Sequence, residues 1–206
     1  MNRKRQIRKL RKSYLIIVEG QTEKWYLDLF KKHEQDRLPR IDIKPEIPKR
    51  KKLKEIHEQI LDNEKQYDKV IWIVDLDVII ADNQITEFKK IIKNLEKMKK
   101  VIVLVNSPCL EFWFLLHHVN TSRFFSKCKN VEKELHKVDI LKEYEKTEKY
   151  FKSSNDIYNR LKPYQRKAIK NAESLGVLSF NDINSAKAEI NQLFEIVFDQ
   201  SNDMQY

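Results

Sequence analysis

The sequence predicts an α/β fold: a mostly parallel four-stranded sheet with helices on both faces, followed by a C-terminal helical extension. Two observations carry this. Residues 14–118 alternate short apolar runs with amphipathic stretches, the pattern of parallel strands that return through helices. Beyond residue 120 the apolar residues keep helical spacing, and no strand-like run recurs. The expected organisation is a basic N-terminal arm at 1–12, an α/β core at 13–120 and a helical extension at 121–206 packed on the core.

Each element has its own signal. Residues 14–18 are a β-branched run that reads as a buried strand. Residues 21–35 place Trp25, Tyr26, Leu29 and Phe30 on one helical face. Residues 40–47 alternate Ile41 and Ile43 before Pro45, which suits an irregular or edge strand. A helix is expected over 51–66 through Leu53, Ile56, Ile60 and Leu61. Residues 70–74 are apolar throughout, as in a strand covered on both faces.

Ile85, Phe88, Ile91, Ile92 and Leu95 then mark a helix over 84–99, and residues 101–105 a further buried strand. Ser107-Pro108 offers an N-cap and a first-turn proline for a helix running to about His118. Phe112, Trp113, Phe114 and Leu115 on it read as core. Residues 130–150, 153–175 and 182–199 read as three further helices.

The charge balance narrows the partners. A formal net charge of +10 favours polyanions, nucleic acid before an anionic membrane surface; Lys-rich helix faces alone are the bland alternative. Seven basic residues, Arg3, Lys4 and Arg5 among them, fall in residues 3–12. Five more, Lys49, Arg50, Lys51, Lys52 and Lys54, fall in 49–54. Both clusters suit phosphates by counterion release.

The two cysteines, Cys109 and Cys128, form neither a Cys-x-x-Cys pair nor a zinc spacing, and a reducing cytosol fits. The apolar run 112–116 is far too short to span a bilayer, and the N-terminus lacks a signal-peptide stretch. A cytoplasmic protein with no membrane partner is expected.

The motifs exclude several chemistries. With only Gly20 and Gly176, the chain has neither a dinucleotide fingerprint nor a P-loop. It has no His-Glu-x-x-His and no Gly-x-Ser-x-Gly elbow. What remains is acidic: Glu19-Gly20 where the first strand ends, and Asp75-Leu76-Asp77 where the 70–74 strand ends. In an open parallel sheet, ligands bind outside the carboxyl ends of the strands. Phosphodiester cleavage needs a cation to neutralise the phosphate and activate water, and Mg²⁺ takes a few carboxylates. The bland readings are a solvated loop for Glu19 and a cap for Asp75.

Several segments carry a family resemblance. They are Val-Glu-Gly-Gln-Thr-Glu at 18–23, Ile-Trp-Ile-Val-Asp-Leu-Asp at 71–77 and Asn-Ser-Pro-Cys-Leu-Glu-Phe-Trp-Phe-Leu-Leu-His at 106–117. In the helical half they are Lys-Glu-Tyr-Glu-Lys at 142–146, Ala-Ile-Lys-Asn-Ala at 168–172 and Asn184-Ser185. Together they resemble the RloB family, which is similar to AbiL-type phage-resistance proteins and is regarded as a TOPRIM-related nuclease group.

The resemblance implies a TOPRIM-like core in which Glu19 matches the first-motif glutamate and Asp75 and Asp77 its aspartate pair. It implies a second glutamate in Glu23, and Ser107 and Glu111 as the later Ser and Glu near the metals, at a spacing that departs from the OLD-like pattern. Glu23 lies one helical turn past Glu19, so both can face one site; its bland reading is a helix-dipole carboxylate. His117 reads first as a structural hydrogen-bonder and second as an accessory group.

The leading expectation is thus a nuclease for DNA or RNA in phage defence. Mg²⁺ or Mn²⁺ is held by Glu19, Glu23, Asp75, Asp77 and Glu111, and Glu19, Asp75 and Asp77 are catalytic. The alternative is a non-catalytic regulatory partner of an ATPase encoded nearby, since this chain lacks an ATP motif. A topoisomerase or primase fragment ranks third.

Overall fold

The computed structural model describes residues 12–45 and 52–198. The expectations for Arg3, Lys4, Arg5, Lys49, Arg50 and Lys51 lie outside the described residues.

The core begins with β1 (Ser13–Ile17), α1 (Gln21–Glu34), β2 (Arg40–Lys44) and α2 (Leu53–Glu64). It continues with β3 (Lys69–Asp75), α3 (Leu76–Ala81), α4 (Ile85–Leu95), β4 (Val101–Ser107) and α5 (Leu110–Leu116). The sheet order is β2-β1-β3-β4-β5, with β5 at Lys187–Ala188. The first four strands are parallel, so β1, β3 and β4 all end at one edge.

The sheet is five-stranded rather than four-stranded. β5 pairs antiparallel with the end of β4, Asn106 opposite Ala188 and Ser107 opposite Lys187. Two residues leave no periodicity to read; tertiary contacts create this strand. Glu189 reinforces it, accepting the Val105 N–H at 2.9 Å and the Leu178 N–H at 2.5 Å.

The same pairing corrects the expected cap. Ser107 stays in β4, the Ser107–Pro108 peptide is cis, and Cys109 is the N-cap of α5. A second departure is α3. Its sequence, Leu-Asp-Val-Ile-Ile-Ala, is too short and apolar to announce a helix, and it places Asp77 in a first turn.

Strand alternation divides the interior in two. Tyr14, Ile16, Ile71, Ile73 and Leu104 face one side with α1, α5 and the C-terminal helices. Leu15, Ile17, Val70, Trp72, Val74 and Val105 face the other with α2, α3 and α4.

The three long helices expected after residue 130 are broken into shorter pieces: α6 (Cys128–Leu135), α7 (Glu148–Phe151), α8 (Ile157–Leu161), α9 (Gln165–Glu173) and α10 (Asn191–Phe198). Thr147 and Asp156 supply side-chain N-caps to α7 and α8. These pieces pack directly on α1 and α5: Phe194 stacks on Trp113 with ring centroids 5.6 Å apart and meets Phe30 at 5.4 Å.

Cys109 and Cys128 form a disulfide, with Cα atoms 5.6 Å apart. Their 19-residue separation gave no sign of it, and disulfides are rare in the reducing compartment the sequence suggested. No helix among the described residues is long and apolar enough to cross a membrane.

Candidate functional site

β1 delivers Glu19 and β3 delivers Asp75 to the carboxyl edge on neighbouring strands. α1 starts immediately, which returns Glu23 to the same place, and α3 does so for Asp77. A cleft of about 430 Å³ is lined by Glu19, Gly20, Glu23, Asp75, Asp77, Val78, Ala81 and Asp82. The sequence-predicted catalytic trio and Glu23 are therefore brought together. Asp82, the C-cap of α3, joins them; no local sequence signal ties an acid at that position to this edge.

Three of the five carboxylates are held by hydrogen-bond donors. The Trp72 indole N–H donates to Glu19 Oε1 at 3.1 Å. The Cys128 backbone N–H donates to Asp77 Oδ2 at 3.0 Å, while the Asp77 backbone N–H donates to Pro108 O at 3.1 Å. Asn106, opposite Asp75 in the sheet, donates through Nδ2 to Asp75 Oδ1 at 3.4 Å.

Gly20 is required by space rather than by backbone angles. Its φ of −105° is open to any residue. A Cβ there, however, would lie 2.9 Å from Glu23 Cδ and closer still to the carboxylate.

The electrostatics are those of crowded like charge. Burial, then the charges of Glu23, Glu111 and Asp77, push the Asp75 carboxyl well above the usual range. Burial and the Glu111 charge raise Glu23, opposed by its own backbone N–H and a hydrogen bond with Asp75. Asp77 is raised by burial against the Cys128 N–H and Lys146.

Glu111 is buried beside the cleft and is engaged by protein partners. It accepts the Tyr144 hydroxyl at 2.7 Å and pairs with Lys146 Nζ at 3.0 Å. Lys146 also pairs with Glu132 at 3.0 Å. Burial works against the Lys146 ammonium, but Glu111 and Glu132 outweigh it and hold its pKa above the usual value. Tyr144 and Lys146 thus surround Glu111 beside the cleft; their only sequence signal is the 142–146 segment of the family resemblance.

The other candidates sit differently. Ser107 is buried at the end of β4, and its Oγ has no partner among the described residues. His117 is buried one turn from Trp113, its Nδ1 2.9 Å from the Trp113 carbonyl, and burial depresses its pKa to about 3. It is a neutral hydrogen-bonder that does not line the cleft. Lys52 and Lys54 are exposed at the start of α2 and do not line it either.

The donor set suits a hard divalent cation. It is all oxygen, with five acids and no basic residue in the lining. Asn106 Oδ1, on the residue facing Asp75, is a buried acceptor without a partner among the described residues. Glu23 and Asp75 act on each other directly, and burial raises both carboxyls first.

A family model described as RloB-like protein matches residues 14–196, most of the chain. Searches of curated proteins and of solved structures return no match.

Proposed function

This chain belongs to the RloB-like protein family, and from that premise we propose that it is a divalent-metal-dependent nuclease with a TOPRIM-like core, cleaving DNA or RNA in cytoplasmic phage defence. The observation that carries the reading is the acidic cleft at the carboxyl edge: Glu19, Glu23, Asp75 and Asp77 converge there without a basic residue in the lining. Such a set costs stability unless a cation joins it.

Glu19, Glu23, Asp75 and Asp77 would hold Mg²⁺ or Mn²⁺. When bound, the ion neutralises charge on the scissile phosphate and acidifies water. Glu19, anchored by Trp72 and partly open to solvent, moves the proton of the attacking water or of the leaving oxygen. Asp77 is oriented by Cys128. Glu111, tied to Tyr144 and Lys146, does not line the cleft and sets the local field from beside it. The net charge of +10, with the 49–54 cluster running from the chain after β2 into the start of α2, supports nucleic acid as substrate.

The test is cleavage of labelled DNA and RNA with Mn²⁺ by the parent and by Asp75→Asn/Asp77→Asn. Cleavage lost with nucleic-acid binding retained is expected. Equal cleavage by both chains, in preparations purified identically, sinks the assignment. Metal binding without cleavage by the parent turns the reading to the regulatory partner of an ATPase.

A further inference from the structure

A covalent link lies behind Asp77, one of the carboxylates that line the acidic cleft. Asp77 sits between the two chain segments that the disulfide joins. Its backbone N–H donates to Pro108 O, next to Cys109, and its side chain accepts the N–H of Cys128. Cys128 Sγ also lies 2.9 Å from Glu111 Oε2. The same bond therefore fixes an N–H on one cleft carboxylate and a sulfur against a neighbouring one.

The sulfurs differ in access. Cys109 is buried at 1% exposure, whereas Cys128 is partly open at the start of α6. The surrounding structure does not depend on the link alone. Phe125 packs on Phe112 with centroids 6.0 Å apart, and Val131 and Leu135 of α6 are fully buried. A soft-metal site at Cys109, Glu111 and Cys128 is disfavoured, because Lys146 Nζ already lies 3.3 Å from Cys128 Sγ and 3.0 Å from Glu111.

We propose that Cys128 is a redox-controlled positioning residue: the Cys109–Cys128 disulfide holds Asp77 and Glu111 in the metal-binding arrangement, and its reduction by a dithiol weakens that arrangement without unfolding the chain. The inference rests on the acidic centre binding a divalent cation. A thiol of the dithiol attacks Cys128 Sγ, the Sγ–Sγ bond breaks, and Cys109 leaves as the thiol after taking a proton. The second thiol resolves the mixed disulfide. The chain gains two thiols and the dithiol becomes a disulfide, so two electrons and two protons are transferred. Cys128 is then free to move its N–H off Asp77, and its new S–H donates to Glu111.

The measurement is Mn²⁺ titration calorimetry on the full chain, air-oxidised and then reduced with a phosphine, with thiols counted in each state. Loss of an outer-shell partner weakens metal affinity about tenfold, so the reduced chain should bind about tenfold more weakly. Cys109→Ser/Cys128→Ser should match the reduced chain and ignore reductant. Far-UV circular dichroism should be the same in both states.

Equal Mn²⁺ affinities with the bond verified closed and then open overturn the inference and leave the acidic centre standing. So does finding two free thiols after oxidation, or loss of the circular dichroism signal on reduction. No Mn²⁺ binding in either state removes the acidic-centre reading itself.

Discussion

Asp75→Asn should stabilise the metal-free protein while removing its response to metal. The change is isosteric and deletes one charge from the group that includes Glu23, Glu111 and Asp77. In the parent, Asp75 and Glu23 are both raised, burial being the first cause of each. Between the ordinary carboxylate range and those raised values, the folded chain holds protons that the unfolded chain has released. Stability therefore falls as pH rises through that window. An uncompensated buried polar group costs about 1–3 kcal/mol, more if charged. Asp75 keeps some solvent contact and accepts hydrogen bonds from Leu110 N–H and Asn106. The relief belongs at the low end, about 1 kcal/mol, or roughly 2–4 °C in Tm for a chain of this size. Melts at pH 5 and pH 8 with chelator should show the variant above the parent at pH 8 and a smaller pH difference for the variant. Added Mn²⁺ should raise the parent's Tm at pH 8 and leave the variant's unchanged. A variant less stable than the parent at pH 8, with the pH difference intact, refutes the picture of a cleft strained by like charge.

Gly20→Ala should leave the fold intact but displace the Glu23 carboxylate, lowering Mn²⁺ affinity about tenfold by calorimetry. Lys146→Met removes the ammonium from buried Glu111. Breaking a buried pair costs about 3–5 kcal/mol, but Lys146 is 41% exposed and Tyr144 remains, so about 1–2 kcal/mol in urea melts is expected after screening. Replacing Lys49, Arg50, Lys51 and Lys52 with Ser should weaken nucleic-acid binding and flatten its salt dependence in fluorescence titrations; an unchanged slope places the phosphate contacts elsewhere.

What was legible in the sequence followed from strong local periodicity. β1, β3 and β4 are runs of β-branched and aliphatic residues that no helix at this length would favour. Glu19 and Asp75 stood out because they follow those runs directly. The misses depend on distant partners. The helix expected over 130–150 is cut where Tyr144 and Lys146 leave helical structure to reach Glu111, 33 and 35 residues earlier in the chain. The disulfide and β5 likewise join segments whose spacing carries no local mark. Gly20 was legible as a glycine where the first strand ends, but its reason is the carboxylate packed against it.

The position of β5 has a consequence for synthesis. It completes β4 from 82 residues downstream, as the pairing of Asn106 with Ala188 requires. At about 5–20 residues per second, a ribosome delivers that partner roughly 4–16 s after β4. Until then the Val105 N–H lacks the Glu189 acceptor that it has in the finished fold. Trp113 and Phe30 also wait for Phe194, which follows β5. A nascent chain halted before residue 187 thus presents an open strand edge beside unburied aromatic rings. Such chains are natural clients for a chaperone, and the final twelve described residues, 187–198, act as the seal that ends their exposure.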